Sequence, residues 1–237
     1  MIHKALDNAL RLGLVQRNVA DLVHPPRIKR QEMSTLSAQQ ARLLLAAAEG
    51  ERFEALFVLA VTTGMREGEL LGLQWADVDF DGGMLRVERT LNVISGKLFF
   101  AEPKTELSRR RLVLSERAIQ ALATHRERQL CERRWLGEAW DDLGLVFPNT
   151  IGRPEDPRSF TRREFAPLLC KAGLPHIRFH DLRHTAATLL LEEGINPKVV
   201  QEMLGHAHIS ITLGLYAHVT PKMLHAAART MDDLFGV

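Results

Sequence analysis

The chain has 237 residues, a formal net charge of +2 and an apolar fraction of 46%. This length suits one sizeable domain, or one domain with a fragment of another, and the apolar fraction is high enough for a hydrophobic core. Because the net charge is small, any affinity for nucleic acid must come from local patches. Cys131 and Cys170 have no C-x-x-C spacing, which argues against a disulfide framework and a structural zinc site.

The N-terminus lacks an apolar signal region, and no apolar run approaches membrane-spanning length. We therefore expect a cytoplasmic protein without a membrane partner. Residues 3–15 have apolar positions at helical spacing, and the basic stretch that begins at Pro25-Pro26 is typical of an extended linker. Because a single helix cannot bury its own apolar face, we expect this first segment to belong to a domain whose earlier part lies outside the chain.

The pattern from Ser37 onwards is mostly helical. Ser37 and Gln40 indicate a capping box at the start of a helix over Ala38–Ala48. Two more predicted helices follow, Arg52–Thr63, which ends at Gly64, and Arg66–Leu73.

The period then changes to that of short strands joined by turns at Asp81-Gly82-Gly83 and Ser95-Gly96. The predicted strands are Met84–Arg89, Leu91–Ile94, Lys97–Ala101 and Arg111–Leu114. Helices resume over Glu116–Arg134, Pro157–Ala172, Asp181–Glu193, Pro197–Leu204 and Pro221–Leu234. The predicted fold class is mainly α with one small antiparallel β-sheet, an α+β arrangement.

A basic run lies between Lys104 and Arg134, where nine Lys and Arg residues accompany four acidic ones. One interpretation is the solvated face of a helix, and the other is a surface that binds DNA phosphates. The residues expected to contact DNA are Arg109, Arg110, Arg111, Arg162 and Arg163.

Two arginines are suited to binding a phosphodiester, because a guanidinium donates two parallel charge-assisted hydrogen bonds and stays protonated. Arg66 follows Gly64, where a helix break would place its side chain at the mouth of a cleft. Arg183 lies at the start of a predicted helix, on the same face as His180. The alternatives are an ion pair of Arg66 with Glu69 on the next turn and a surface position for Arg183.

Histidines accompany these arginines. His180 would present a neutral donor to the phosphate held by Arg183, near a helix N-terminus that favours anions. His206 follows Gly205, where a helix is predicted to end, and is placed to reach the same phosphate. Each also has a structural interpretation, with His180 as a helix cap and His206 as a packing residue. His184, one turn after His180, is expected to pack.

Lys104 lies in a hairpin region, where a flexible cation can reach over a substrate and protonate a leaving oxygen, although a solvent-facing lysine is the alternative. Tyr216 is the single tyrosine of the chain. A phenol is a weak nucleophile near neutral pH and needs nearby cations to activate it. Its attack on a phosphodiester would conserve the bond energy in a phosphotyrosine linkage, so that the strand can be resealed without ATP.

The order of these residues resembles the tyrosine recombinase family of phage integrases, transposon integrases and site-specific recombinases. The ordered set is Arg66, Lys104, His180, Arg183, His206 and Tyr216, within the phrases Thr63–Leu70, Phe179–Thr185 and Leu204–His206. The resemblance covers nearly the whole chain from about Ser34. It implies a catalytic domain over residues 34–237 with a tail helix at about 221–234, preceded in residues 1–33 by the last helix and linker of a core-binding domain.

The resemblance also implies a site-specific recombinase that integrates or excises a mobile element. The two arginines and two histidines would surround the scissile phosphate, with Lys104 as general acid, Tyr216 as the nucleophile that becomes 3′-phosphotyrosyl, and Glu69 supporting Arg66. No cofactor or metal is implied. The expected partner is double-stranded DNA, on which four copies assemble for synapsis, while the free protein is expected to be a monomer. One departure is Leu213-Gly214-Leu215, where integrases often carry a polar or acidic residue.

Three other functions stay open from the residues alone. His180 and His184, four apart with Asp181 between them, resemble a zinc pair of a metal-dependent hydrolase, although no third ligand cluster is evident. A non-catalytic DNA-binding relative would be expected to have lost part of the catalytic set. A type IB topoisomerase uses similar chemistry, but a Leu-Gly-His motif at Leu204–His206 with a nearby tyrosine favours the recombinase.

Overall fold

The computed structural model describes residues 2–23, 34–102, 109–215 and 221–236, with side chains described outside residues 215 and 221–227. Within the described residues, no helix is both long and apolar enough to cross a membrane. The chain divides into two compact units, Met1–Glu32 and Met33–Val237.

The first unit contains one α-helix and one short 3-10 helix. Helix α1 spans Ile2–Arg11, and the 3-10 helix spans Val19–Leu22. The predicted helix over residues 3–15 therefore ends four residues early, and Gly13 adopts a positive φ of 70° just after it. Asn18 caps the 3-10 helix by accepting a hydrogen bond from the Ala20 amide, and its own amide donates to Asp7 at 2.8 Å.

The second unit is mainly helical. Its α-helices are α2 (Ala38–Ala47), α3 (Glu54–Thr63), α4 (Glu67–Leu71), α5 (Glu116–Leu136), α6 (Pro157–Phe160), α7 (Ala166–Lys171), α8 (Phe179–Glu192), α9 (Pro197–Leu204), α10 (Ile209–Leu215) and α11 (Pro221–Phe235). Short 3-10 helices lie at Trp75–Asp77 and Gly137–Ala139, and a π-helical turn at Thr161–Phe165 joins α6 to α7. The predicted helix Pro157–Ala172 is thus three consecutive pieces.

The strands of the second unit form two antiparallel sheets in its described part. The strands are β1 (Val78–Asp79), β2 (Met84–Val87), β3 (Thr90–Ile94), β4 (Lys97–Ala101) and β5 (Arg110–Val113). One sheet has the order β1-β2-β5, and the other is the β3-β4 hairpin. The fold class is confirmed, but the prediction of a single sheet is wrong, because β5 pairs with β2 rather than with the hairpin and the two-residue β1 adds a third strand.

Local capping explains why several helix ends are where the sequence predicts them. The capping box of Ser37 and Gln40 is present at the start of α2. Gly64 ends α3 with a φ of 63°, and Gly205 ends α9 with a φ of 67°, both in the left-handed region that glycine tolerates. Each of these two glycines directly precedes a segment that carries predicted site residues.

Helix α3 is central to the core of the second unit. All of its residues from Ala55 to Ala60 are buried, and the helix packs against α5 and α8. The Phe57 ring stacks at 5.9 Å from Phe160 and at 6.1 Å from Phe165, which anchors α3 to α6 and to the π-helical turn. This packing fixes the C-terminal end of α3 beside α8, where the predicted site residues lie.

The last helix, α11, exposes apolar side chains. Met231 is 53% exposed, Leu234 71% and Phe235 74%. The sequence continues this apolar stripe towards the start of the helix with Met223, Leu224 and Ala227, whose side chains lie outside the described residues. The described end of the stripe is therefore not buried by the single chain.

Candidate active site

Arg66 lies at the N-terminus of α4 and is held there by Glu69. The Glu69 carboxylate accepts from the Arg66 backbone amide at 2.9 Å and from its guanidinium Nη1 at 2.7 Å, which closes a capping box across the first turn. Glu69 is 4% exposed, whereas the Arg66 side chain is 38% exposed. The ion pair therefore orients a guanidinium that solvent, or a ligand, can still reach.

Helix α8 presents His180 and Arg183 from its first turns. Its start is fixed by Asp181, whose carboxylate accepts from the backbone amide and the guanidinium of Arg178. Arg183 is 2% exposed and donates to the backbone oxygens of Gly64 at 2.8 Å and Leu204 at 2.6 Å. The guanidinium of Arg183 therefore joins the end of α3 to the end of α9.

Three arginines converge on the C-terminal end of α9. The last carbonyls of a helix have no partner within the helix and carry the negative end of its dipole, so they attract cations. Three consecutive carbonyls of α9 and its cap each accept from a different guanidinium. The pairs are Arg110 Nε to the Met203 oxygen at 2.7 Å, Arg183 Nη2 to the Leu204 oxygen at 2.6 Å, and Arg66 Nη2 to the Gly205 oxygen at 3.4 Å. We call Arg66, Arg110 and Arg183 the arginine cluster.

His206 directly follows this helix end. Its Nδ1 lies 2.9 Å from the Thr212 hydroxyl on α10, and its backbone oxygen accepts from the Gln201 side chain at 3.0 Å. His206 as a residue is 7% exposed, and it lines an open cleft together with Gln201 and Arg110. The Thr212 contact leaves Nε2 as the ring atom available for a ligand.

The electrostatics of the site keep His180 and His206 neutral and still leave Arg183 charged. Burial and, to a lesser degree, the charges of Arg183 and Arg66 together lower the pKa of His206 to about 4. For His180, desolvation and the neighbouring His184 and Arg183 also lower the pKa to about 4. His180 is exposed, so solvent screens the charges that lower its pKa. The buried His206 is therefore the histidine that the site holds neutral more firmly. Burial lowers the pKa of Arg183 to about 9, which still leaves it protonated at neutral pH.

The sequence assigns Arg110 to the DNA-contacting surface, but its guanidinium points inward. The side chain is 6% exposed and makes a two-pronged ion pair with Glu69, at 3.1 and 2.8 Å. The signal that would have found it is strand alternation. Along β5, Arg110 shares a face with the buried Leu112, while Arg111 and Val113 are exposed.

The other arginines expected to contact DNA lie on the surface. Arg109 is paired with Glu102 at 2.5 Å, and Arg163 with Glu155 at 2.6 Å, and both side chains are about half exposed. Arg111 and Arg162 are exposed as well. Lys104 and Tyr216, the predicted general acid and nucleophile, lie outside the described residues. The structure thus brings together Arg66, Glu69, Arg110, Arg183 and His206.

The possibility of a metal site at His180 and His184 gains no support from their geometry. The two rings meet edge to face at 4.8 Å between centroids, as packed aromatic rings do. In the parts of the chain that the structure describes, the one group of three potential metal ligands is His3, Asp7 and Asp21, in the first unit.

Comparison with known proteins places this geometry in a family. The chain is 38% identical over 216 residues to a tyrosine recombinase XerC-like protein of Caldanaerobacter subterraneus subsp. tengcongensis, covering 86% of this chain and 55% of that protein. It is 33% identical over 235 residues to tyrosine recombinase XerC of Pelobacter propionicus, covering 94% of this chain and 70% of that protein. The chain spans 55% to 64% of the length of four of the curated relatives it matches.

The fold has solved counterparts. The structure of the Tn1549 transposon integrase in complex with circular intermediate DNA superposes with a TM-score of 0.75 and 25% identity, covering 97% of this chain and 76% of that one. The family model described as "Phage integrase family" matches residues 34–223, which include Arg66, the whole of the arginine cluster and Tyr216. The chain therefore belongs to the phage integrase family.

Proposed function

We propose that this protein is a site-specific DNA recombinase that cuts and rejoins DNA strands through a 3′-phosphotyrosyl intermediate on Tyr216, without a metal, to integrate or excise a mobile element. The observation that carries the proposal is the convergence of Arg66, Arg183 and His206 on the end of α9, beside an open cleft. Two fixed guanidiniums and one neutral imidazole are suited to a single phosphodiester.

The chemistry assigns a task to each group. A scissile phosphate is an anion, so a second anion can attack it only if cations balance the charge that builds up on the non-bridging oxygens. Arg66 and Arg183 supply that charge through rigid planar donors. His206 and His180, kept neutral, donate hydrogen bonds without adding charge. Lys104 would protonate the leaving 5′ oxygen, and the Tyr216 phenolate would attack the phosphorus.

The proposed partner is double-stranded DNA. Arg109, Arg111, Arg162 and Arg163 are exposed and would contact its phosphates. The Tn1549 transposon integrase, which has the same fold, has been seen in complex with DNA. We propose that the free protein is a monomer and that four copies assemble on DNA for synapsis.

The decisive experiment follows the covalent bond. A labelled suicide DNA substrate that carries the recombination site, incubated with the protein and run on a denaturing gel, should yield a protein–DNA adduct that maps to Tyr216 by mass spectrometry. The Tyr216→Phe variant loses the attacking oxygen and little volume, so it should bind the DNA and form no adduct. An adduct on a serine or histidine would refute the proposal.

Metal independence is tested on the same substrate. Because Arg66 and Arg183 supply the positive charge that metal ions supply elsewhere, adduct formation should survive excess EDTA. Loss of the adduct on chelation, with recovery on adding zinc or magnesium, would instead favour a metal-dependent hydrolase.

A further inference from the structure

Arg110 lines the cleft, but its guanidinium is buried at a junction between three elements of the candidate site. It starts β5, and its register places it opposite Val87 on β2. From there its guanidinium spans two other elements, because two of its nitrogens hold the Glu69 carboxylate of α4 and its Nε donates to the Met203 carbonyl of α9. One side chain therefore ties a strand to two helices that carry Arg66 and His206.

Glu69 depends on Arg110 at least as much as on Arg66. Burial raises the pKa of Glu69, and the hydrogen bonds and charge of Arg110 lower it more than those of Arg66 do, which leaves the pKa below its usual value. A buried carboxylate with one partner removed is left with uncompensated charge. Without Arg110, the anion that orients Arg66 would lose its main counter-charge.

We propose that Arg110 is a positioning residue that sets the distance between the Glu69–Arg66 pair and the end of α9 that carries His206. This inference rests on the proposed function and goes beyond it, since Arg110 acts through Glu69 and Met203 rather than on the phosphate. Its role requires the planar fork of an arginine. A lysine at this position keeps the charge, but a single ammonium cannot hold both carboxylate oxygens and the Met203 carbonyl in the same plane.

The test compares two conservative variants. Arg110→Lys is the test variant, and Arg52→Lys is the matched control. Arg52 has the same kind of surroundings, with a two-pronged pair to Glu132 at 3.1 and 2.9 Å and a bond to the Pro148 carbonyl at 2.9 Å. The partners of Arg52 lie outside the candidate site. Arg52→Lys therefore measures how much stability is lost when a two-pronged guanidinium is replaced, without a change in the site.

The first readout is single-turnover cleavage of the suicide substrate at saturating protein, with DNA affinity and thermal unfolding measured in parallel. We expect Arg110→Lys to slow cleavage by about 100-fold, the cost of misplacing catalytic groups by about an ångström, while it binds DNA like the wild type. We expect Arg52→Lys to lower the melting temperature less, because its ion pair is more exposed than that of Arg110, and to leave cleavage unchanged.

The second readout needs neither DNA nor activity. The proton resonance of the His206 ring, assigned with His206→Gln, is followed by NMR from about pH 5.5 to 8. In the wild type, His206 should stay neutral over this range. In Arg110→Lys, loss of the Met203 bond would let water reach the ring, so its pKa should rise towards about 6.5 although the charge at position 110 is retained.

The two readouts separate this inference from the proposed function. If the wild type forms no adduct, the proposed function fails, and the His206 titration alone decides about Arg110. The inference is overturned if His206 titrates in Arg110→Lys as it does in the wild type. It is equally overturned if an active protein loses no more cleavage through Arg110→Lys than through Arg52→Lys.

Discussion

At the scale of single residues, Arg183 combines deep burial with a retained charge. The side chain is 2% exposed, and the charges of Arg66 and Arg110 act against its protonation, while Glu69 acts in favour of it. Two backbone oxygens compensate part of the desolvation. A phosphate arriving at the cleft would supply the negative charge that the site lacks, so substrate binding should be strongest for an anion that reaches this group.

Substitution of Arg183 by lysine should test this role directly. Lysine keeps the charge but cannot hold the oxygens of Gly64 and Leu204 and also fork onto a phosphate, so cleavage should fall by about 10²–10³-fold, the loss of one transition-state donor. Arg178→Lys, on the exposed side chain at the start of the same helix, is the control. Single-turnover adduct formation measures both, and equal rates for Arg183→Lys and the wild type would contradict the role.

The pH dependence of stability should report on His206. Its pKa in the folded protein is about 4, below the value of about 6.5 of an unfolded histidine, so the unfolded chain binds more protons between these pH values. The free energy of unfolding should therefore rise with pH across this window. The part of the stability that is linked to His206 is lost as the pH falls through the same window. Urea unfolding at a series of pH values, with the wild type and His206→Gln compared, measures the contribution. A pH slope equally steep in both proteins would exclude it.

At the scale of secondary-structure elements, the site depends on helix ends. Gly64 ends α3 in the left-handed region, and a Cβ there would lie 2.4 Å from Cδ2 of Leu204. Arg183 donates to the carbonyls of both of these residues. The close approach of α3 and α9 is therefore what allows one guanidinium to reach both helices.

Gly64→Ala should damage the fold and the site together. A non-glycine residue in this conformation costs about 1–2 kcal/mol, and the contact with Leu204 adds to that by pushing the end of α9 away. Gly50→Ala is the control, because Gly50 has a φ of 78° and nothing within 4 Å of the added Cβ. Urea unfolding should show a larger loss for Gly64→Ala, and only this variant should slow cleavage. Equal losses of stability would show that the two helices can separate without cost.

Short sequence patterns predict most of the helices and strands. They do not predict which helices and strands contact each other. Capping residues such as Ser37 and Gly205 act within a few residues of the helix that they end, so their effect is readable from the sequence. The sequence pattern does not predict α10, since seven residues are too few to form a stable helix without tertiary contacts such as the Thr212–His206 bond. Likewise, the two-residue β1 exists only through its pairing with β2.

In the candidate site, too, some residues can be predicted from short motifs and others only from contacts between elements. Arg66, His180, Arg183 and His206 stand in motifs whose order indicates the chemistry. The place of Arg110 depends instead on the register of β5 with β2, which joins residues far apart in the chain. A basic run in the sequence looks like one surface, although alternate side chains of a strand point to opposite faces.

At the scale of the whole molecule, α11 offers an apolar surface that the single chain leaves uncovered. Met231, Leu234 and Phe235 are each more than half exposed. A patch of exposed apolar side chains is typical of a surface that contacts another protein. We propose that this helix docks on a neighbouring copy of the chain during synapsis, which would couple cleavage to assembly.

Removal of this helix should therefore affect assembly more than single-copy binding. A variant that ends at Thr220 should bind one DNA half-site like the full chain and should lose recombination of two sites. Leu234→Ser tests the same contact with less risk to the fold, since the side chain is 71% exposed. Gel-shift titration measures the first property and a two-site recombination assay the second. A parallel loss of both properties in Leu234→Ser would show that the helix is part of the fold of one chain.

The arginine cluster has a consequence for how this protein can change over generations. Its three guanidiniums are held at the end of α9 by peptide oxygens of residues 203–205, and a peptide oxygen is present whatever side chain the residue carries. A different side chain at Met203 therefore leaves the acceptor in place, provided that the helix still ends at Gly205. Under the proposed function, the three arginines would therefore keep their places while side chains along α9 change.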